Sequence, residues 1–221
     1  MGLQALTEEI VSCAQCPRLR AWCSAVAVQK RAAYRDEEYW GQPVGGFGDP
    51  QAQIAVIGLA PAAHGANRTG RMFTGDRSGD WLYGALFRAG LANQPESTGT
   101  DDGLVLTNVW VTNAVKCAPP ENKPTAEEQN RCRPFLRREL ALLADLRVII
   151  ALGGIGTTAI VRHFDLSPRP KFGHGLEVAI APNLTLLCSF HVSQQNTFTG
   201  RLTEKMLDDV FNRAVSIAAG R

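Results

Sequence analysis

Four apolar runs of strand length, at 53–59, 104–112, 147–152 and 184–190, set the frame for this chain. A strand with one wet face alternates apolar and polar residues. Near-continuous apolar runs suit a parallel sheet covered on both faces. Helical patterns lie between and after them. Trp81, Leu82, Ala85 and Leu86 recur at helical spacing within 78–89. Leu202, Met206, Leu207, Val210, Phe211 and Ala214 share one face of 200–218. Strands that alternate with helices predict a three-layer α/β/α domain.

The remaining segments are read from local signals. Residues 3–12 read as a short helix, and 17–50 as less regular, closing on the loop Gly45-Gly46-Phe47-Gly48-Asp49-Pro50. Thr125 and Glu128 form a capping box. Pro134 is expected to break or kink that helix just after Cys132, with a second run carrying Phe135, Leu136, Leu140 and Leu143. A chain of 221 residues, 45% of them hydrophobic, supports one such core over 1–221, with an arm of about 50 residues at the N-terminus. No segment reaches the roughly 18 apolar residues of a membrane helix. Met1 to Glu9 lack the pattern of a signal peptide, so a cytoplasmic protein is expected. The net charge of +2 says less than its distribution. Arg18, Arg20, Lys30, Arg31 and Arg35 crowd the arm, and Arg68, Arg71, Lys116 and Lys123 lie in or beside the long loops. Such a surface suits a phosphate-rich partner, and a solvated face is the plainer alternative.

Four of the six cysteines form a pattern. Cys13 and Cys16 are a close pair, and Cys117 and Cys132 lie far downstream. Cytoplasmic disulfides are rare, so metal binding is the better class of reading. Zinc prefers a second close pair. Four thiolates from separate segments fit an iron–sulfur cluster. Spacing alone leaves the cluster, zinc and unrelated thiols all open. Cys23 and Cys188 read as structural.

Two loops carry the chemistry. The first strand opens into a glycine-rich polar loop that ends at Asp76. The last core strand opens into His191-Val192-Ser193-Gln194-Gln195-Asn196-Thr197. Both emerge at the C-terminal edge of the sheet, where open α/β sheets bind ligands. Residues 194–197 form an uncharged tip suited to a nucleic-acid groove. Gly154, Gly156 and Ala159 match the dinucleotide fingerprint loosely, without an acidic partner, and read as close packing of a helix on a strand.

In combination, GLAPAAHGANRTG and MFTGD within 58–76, VKCAPPENKPT at 115–125, HVSQQNT and TGRLT within 191–203, and the four cysteines resemble the uracil-DNA glycosylase superfamily. The resemblance is to its family 5, the iron–sulfur branch of broad specificity. It implies a four-stranded parallel sheet between helices and a [4Fe-4S] cluster on Cys13, Cys16, Cys117 and Cys132 that staples the arm to the segment after the second strand. It implies a monofunctional hydrolase of the N-glycosidic bond in double- or single-stranded DNA, acting as a monomer and flipping its target base out of the stack.

Residue by residue, His191 matches a histidine that donates to the base oxygen as charge builds there. Phe73 is placed to stack on the base; a core Phe is the plainer reading. Better-known branches carry an acidic or amide group where Ala60 stands, so the water must be handled elsewhere. Asp76 matches the acidic residue proposed for that role in family 5, and an N-cap is its plainer reading. Asn122 matches a second polar residue of the site. Asn113 stands where the related family 4 carries an asparagine that reads the base, since one amide both donates and accepts. His64, Gly65, Asn67 and Arg68 are expected along the DNA backbone. Ser193, Gln195, Asn196 and Thr197 are expected in the minor groove. The competing class is a non-catalytic iron–sulfur module that grips DNA, which needs neither Asp76 nor His191.

Overall fold

The computed structural model describes residues 2–220. Six strands form one mixed sheet: β1 (Phe47–Gly48), β2 (Ile54–Gly58), β3 (Val109–Asn113), β4 (Val148–Leu152), β5 (Glu177–Ala181) and β6 (Leu184–Ser189). Their order is β1-β3-β2-β4-β6-β5. The central four, β3-β2-β4-β6, are parallel, as expected from the apolar runs. Antiparallel edge strands close both sides, β1 on β3 and β5 on β6. Neither edge strand is legible as an apolar run: β1 has two residues in what reads as a loop, and β5 is only half-buried.

The pleat sends alternate side chains to opposite faces. Ile54, Val56, Val109, Val111, Val148 and Ile150 bury against α4 (Arg77–Arg88) and α8 (Glu204–Ala218). Ala55, Ile57, Trp110, Ile149 and Ala151 bury against α5 (Ala126–Leu142) and α6 (Gly153–His163). Burying a Val, Leu or Ile side chain contributes about 1.5–3 kcal/mol, so these two layers fix which edge of the sheet faces outward. Gly156 lets α6 lie close, since a Cβ there would sit 3.0 Å from the Ile57 carbonyl oxygen.

Two local expectations are corrected. Residues 3–12 are helical as expected, in α1 (Leu3–Val11), but the stretch 17–50 is irregular only beyond residue 29: it opens with α2 (Pro17–Gln29), which begins with Pro17, a favoured first helical residue. Its buried stripe is narrow, limited to Leu19, Cys23 and Val26, and this hides its periodicity. Pro134 does not break α5, which runs unbroken from Ala126 to Leu142. Pro134 is exposed, so water can satisfy the carbonyl left without a donor, while buried Cys132 before it and Phe135, Leu136 and Leu140 after it anchor the helix. The capping box is present: Thr125 accepts from the Glu128 N–H at 3.2 Å, and Glu128 accepts from the Thr125 N–H at 2.7 Å. Among the described residues no helix is long and apolar enough to cross a membrane.

Candidate active site and cysteine centre

A cavity of about 430 Å³ opens at the C-terminal edge of the four parallel strands. Each strand contributes to its wall: Ala60 and Ala62 after β2, Asn113 at the end of β3, Gly153–Ile155 after β4, and His191, Ser193 and Gln195 after β6. Phe73, Asp76, Ser78 and Asn122 complete it. The three expected catalytic residues and the three expected base-binding residues are thus brought together. Gly153, Gly154 and Ile155 are wall residues that the fingerprint reading hid. Their position after a parallel strand, at the same edge as the other loops, was the usable signal.

Two glycines mould the floor. A Cβ on Gly58 would lie 2.4 Å from Asn113 Oδ1 and 2.6 Å from Phe73 Cζ. A Cβ on Gly65 would lie 2.0 Å from Asp76 Oδ2. Three site side chains therefore occupy space that any other residue would take. Phe73 adopts a left-handed backbone, φ 53°, a costly conformation for a bulky residue that functional sites tend to hold. Its turn is tied down from beneath. Arg71 donates to Thr74 Oγ1 at 3.1 Å and to Ser97 Oγ at 2.8 Å, and pairs with Asp102. The Phe73 ring is 6.4 Å from the His191 ring, centre to centre.

Asp76 serves two ends. It caps α4 by accepting from the Gly79 N–H at 3.1 Å, and it also faces the cavity. Burial pushes its carboxyl above the usual carboxylate value, against the opposing backbone donors. Burial alone holds His191 below the usual imidazole value, so at neutral pH it is an uncharged ring. That ring makes no hydrogen bond to a described residue, while its backbone oxygen accepts from Asn196 Nδ2 at 2.8 Å. Asn113 is 1% exposed. Its Nδ2 donates to Met72 Sδ at 3.0 Å, and its Oδ1 is buried without a partner. Leaving a buried acceptor unpaired costs about 1–3 kcal/mol, a cost that a ligand donor would remove.

Several expected DNA contacts are corrected. Asn67 is wholly buried and donates to the Cys23 and Ala63 carbonyl oxygens. Arg68 is 7% exposed, pairs with Glu37, stacks on Tyr34, and donates to the Gly75 carbonyl at 2.7 Å. Gly65 is buried beneath Asp76. These three build the loop from inside. His64 stays near the surface, hydrogen-bonded to Tyr39 at 3.1 Å. Residues 194–197 belong to a short helix, α7 (Gln194–Phe198), in which the Asn196 amide braces His191 and Thr197 bonds to Gln194. Lys116 is also internal, paired with Glu139 at 2.5 Å.

A second cavity is lined by Cys13, Cys16, Cys117 and Cys132 together. Leu19, Val115 and Phe135 supply apolar walls, and Arg20, Lys116 and Arg131 supply positive charge. The Lys116 N–H donates to Cys132 Sγ at 3.2 Å, and Arg131 holds the Gln15 carbonyl at 2.7 Å. Cys23 Sγ donates to the Ala118 carbonyl oxygen at 3.5 Å, next to Cys117 in the chain. Among the described residues no three His, Cys, Asp or Glu side chains close on a point that would hold a single ion. Four thiols around a mainly apolar cavity, with N–H and cationic groups near sulfur, have the chemistry an iron–sulfur group requires.

The chain is similar to known proteins. Residues 46–214 match the family model described as the uracil DNA glycosylase superfamily. The chain is 50% identical over 220 residues to a type-5 uracil-DNA glycosylase of Thermus thermophilus, covering 99% of each. It is 51% identical over 209 residues to one of Mycobacterium tuberculosis, covering 93% of this chain and 78% of that protein. A type-4 uracil-DNA glycosylase of Pyrobaculum aerophilum is 32% identical over 162 residues, covering 73% of this chain and 65% of that protein.

Proposed function

Since this chain belongs to the uracil-DNA glycosylase superfamily, and within it to the type-5 branch, we propose that it excises uracil from DNA by hydrolysing the N-glycosidic bond. The product is an abasic site, and the context is DNA repair. The observation that carries the reading is the unpartnered Oδ1 of Asn113 in the cavity. Uracil presents an imino N–H beside a carbonyl oxygen, so Oδ1 accepts from the N–H. Cytosine has an acceptor at that position and would leave the amide oxygen unpaired. Hypoxanthine carries the same oxo and N–H pair as uracil, which supports a breadth that extends to other deaminated bases.

The flipped base lies on Phe73, with stacking worth about 1–3 kcal/mol. The uncharged His191 ring donates to the base oxygen as the C1′–N bond lengthens, and the bonding pair leaves with the base. A donor of this kind is worth about 10²–10³ in rate. Ionised Asp76 faces the sugar as it becomes cationic, orients a water toward C1′ and takes its proton. That proton then passes to the departing base. Asn122 shares the water. The cavity lining holds no lysine, so the reading is a monofunctional hydrolase without a lyase step. Cys13, Cys16, Cys117 and Cys132 would hold a [4Fe-4S] cluster, which ties the arm to the sheet and supplies no step of the reaction.

The test uses labelled duplexes with U opposite G, U opposite A, or hypoxanthine opposite T, treated with alkali after incubation with the enzyme. Cleavage at the marked base is expected on all three. Cleavage on none, with DNA bound and iron retained, would overturn the reading in favour of a non-catalytic binding module.

A further inference from the structure

Three basic residues of the site loops turn inward, Arg68 pairing with Glu37, Arg71 with Asp102 and Lys116 with Glu139, while Lys123 stays exposed beside Glu121. Unpaired cations collect on another face. Arg133 and Arg137 stand one turn apart on α5, Arg162 lies near the end of α6, and Arg169 follows α6. All four are exposed, and none forms an ion pair or hydrogen bond with a described residue.

They form one surface. A depression of about 280 Å³ is lined by Arg133, Arg162, Arg169 and Ser167. Arg133 and Arg137 both act on the His163 ring, making its protonation harder behind the larger effect of burial. A second groove of about 180 Å³ joins Arg162 and Arg169 to Thr157, Thr158 and Gly154. Gly154 also lines the catalytic cavity, so the surface is continuous with its mouth. Asp165 is the acidic residue in these linings, one carboxylate against the three guanidinium groups of Arg133, Arg162 and Arg169.

Four neighbouring like charges with a single carboxylate, Asp165, among them destabilise the free protein by self-repulsion, which an anionic occupant removes. Guanidinium groups match phosphate oxygens in shape as well as charge. From Gly154 to Arg162 the helix rises about 12 Å, and one DNA strand presents a phosphate about every 3.4 Å along the axis, so roughly three or four phosphates span this track. We propose that the Arg133–Arg137–Arg162–Arg169 track is a second DNA-binding surface that grips the backbone of DNA flanking the target nucleotide. The proposal rests on the glycosylase reading for its substrate, but its test does not need catalysis.

The triple variant Arg133→Gln, Arg162→Gln, Arg169→Gln would be compared with wild type on undamaged duplexes of about 10 and about 30 base pairs. Binding is followed by fluorescence anisotropy across salt concentrations. On the long duplex the variant should bind at least tenfold more weakly, with a log K against log salt slope shallower by about 2 to 3, near 0.9 per lost phosphate contact. On the short duplex, affinity should match wild type, and so should single-turnover uracil release from a duplex of the same length that carries U opposite G. Equal slopes on the long duplex would overturn the proposal, as would equal losses at both lengths. Protection of wild type but not the variant by inorganic phosphate alone, with no change in DNA binding, would reassign the track to a free anion. A wild type that releases no uracil while the variant still loses long-duplex affinity would sink the glycosylase reading and leave the track standing.

Discussion

The two cavities diverge from the end of one strand and differ in what they leave unsatisfied. Asn113 ends β3 in the catalytic cavity, and Val115, Lys116 and Cys117 continue into the cysteine cavity. Ala60 lines the first and packs against the residues of the second. The catalytic cavity holds an orphaned amide oxygen, a carboxyl whose charge burial disfavours, and a residue with φ 53°. The cysteine cavity is walled by Leu19, Val115 and Phe135 and braced by Arg131 and the Lys116 N–H. Strain and an unpaired polar atom collect in the first cavity, apolar walls and a braced backbone in the second.

Substitutions can separate the two. After the loss of Asp76 itself, the largest effect is expected from Gly65→Ala, which places a methyl in the space of Asp76 Oδ2. Single-turnover base release should fall about 100-fold or more, the scale of a 1 Å misplacement of a catalytic group. DNA affinity should hold, and an unchanged rate would break the claim that glycine moulds the floor. Cys117→Ser should do the converse. It should remove the brown colour and the bound iron and cost about 2 kcal/mol or more, lowering Tm by roughly 4–8 °C in a chain of this size. Molecules that remain folded should release base within a few-fold of the normal rate. A large loss of rate with no loss of stability would merge the two cavities into one machine.

The pH profile sharpens the catalytic side. The active form has Asp76 ionised and His191 neutral, so kcat/KM should rise with pH and level off by about pH 7. Asp76 titrates above its ordinary 3.8 and His191 below its ordinary 6.5, so the acid limb lies above the ordinary aspartate value. An acid limb midpoint above pH 7 would contradict these protonation states. The smallest effect concerns stability. A raised folded-state pKa gives Asp76 a contribution present below its ordinary value and lost as pH rises through the raised one, so its charge is a cost at pH 7. Asp76→Asn keeps the cap and removes that charge, and should raise Tm by roughly 1–3 °C while abolishing most activity.

The central strands were legible because burial on both faces leaves a run of Val, Ile, Leu and Ala. The capping box was legible because it depends on residues three positions apart. Strand β5, with Glu177 exposed and Val178 half-buried, lacks that mark because an edge strand buries less. Motif order located Phe73, Asp76, Asn113, Asn122 and His191. It did not reveal that Asn67, Arg68 and Lys116 face inward, because a charge in sequence carries no record of its partner. Glu37, Asp102 and Glu139, the partners that neutralise these loops, lie between 23 and 31 residues from Lys116, Arg68 and Arg71. The same limit hid the arginine track, whose members come from three separate segments.

The account turns on Asp76 as the group that handles water. Single-turnover release of uracil from a U-opposite-G duplex, measured with saturating Asp76→Ala enzyme beside wild type, tests it most directly. The account predicts a fall of about 10²–10⁴ in rate with DNA affinity and iron content unchanged. A variant that releases uracil at the wild-type rate would contradict it.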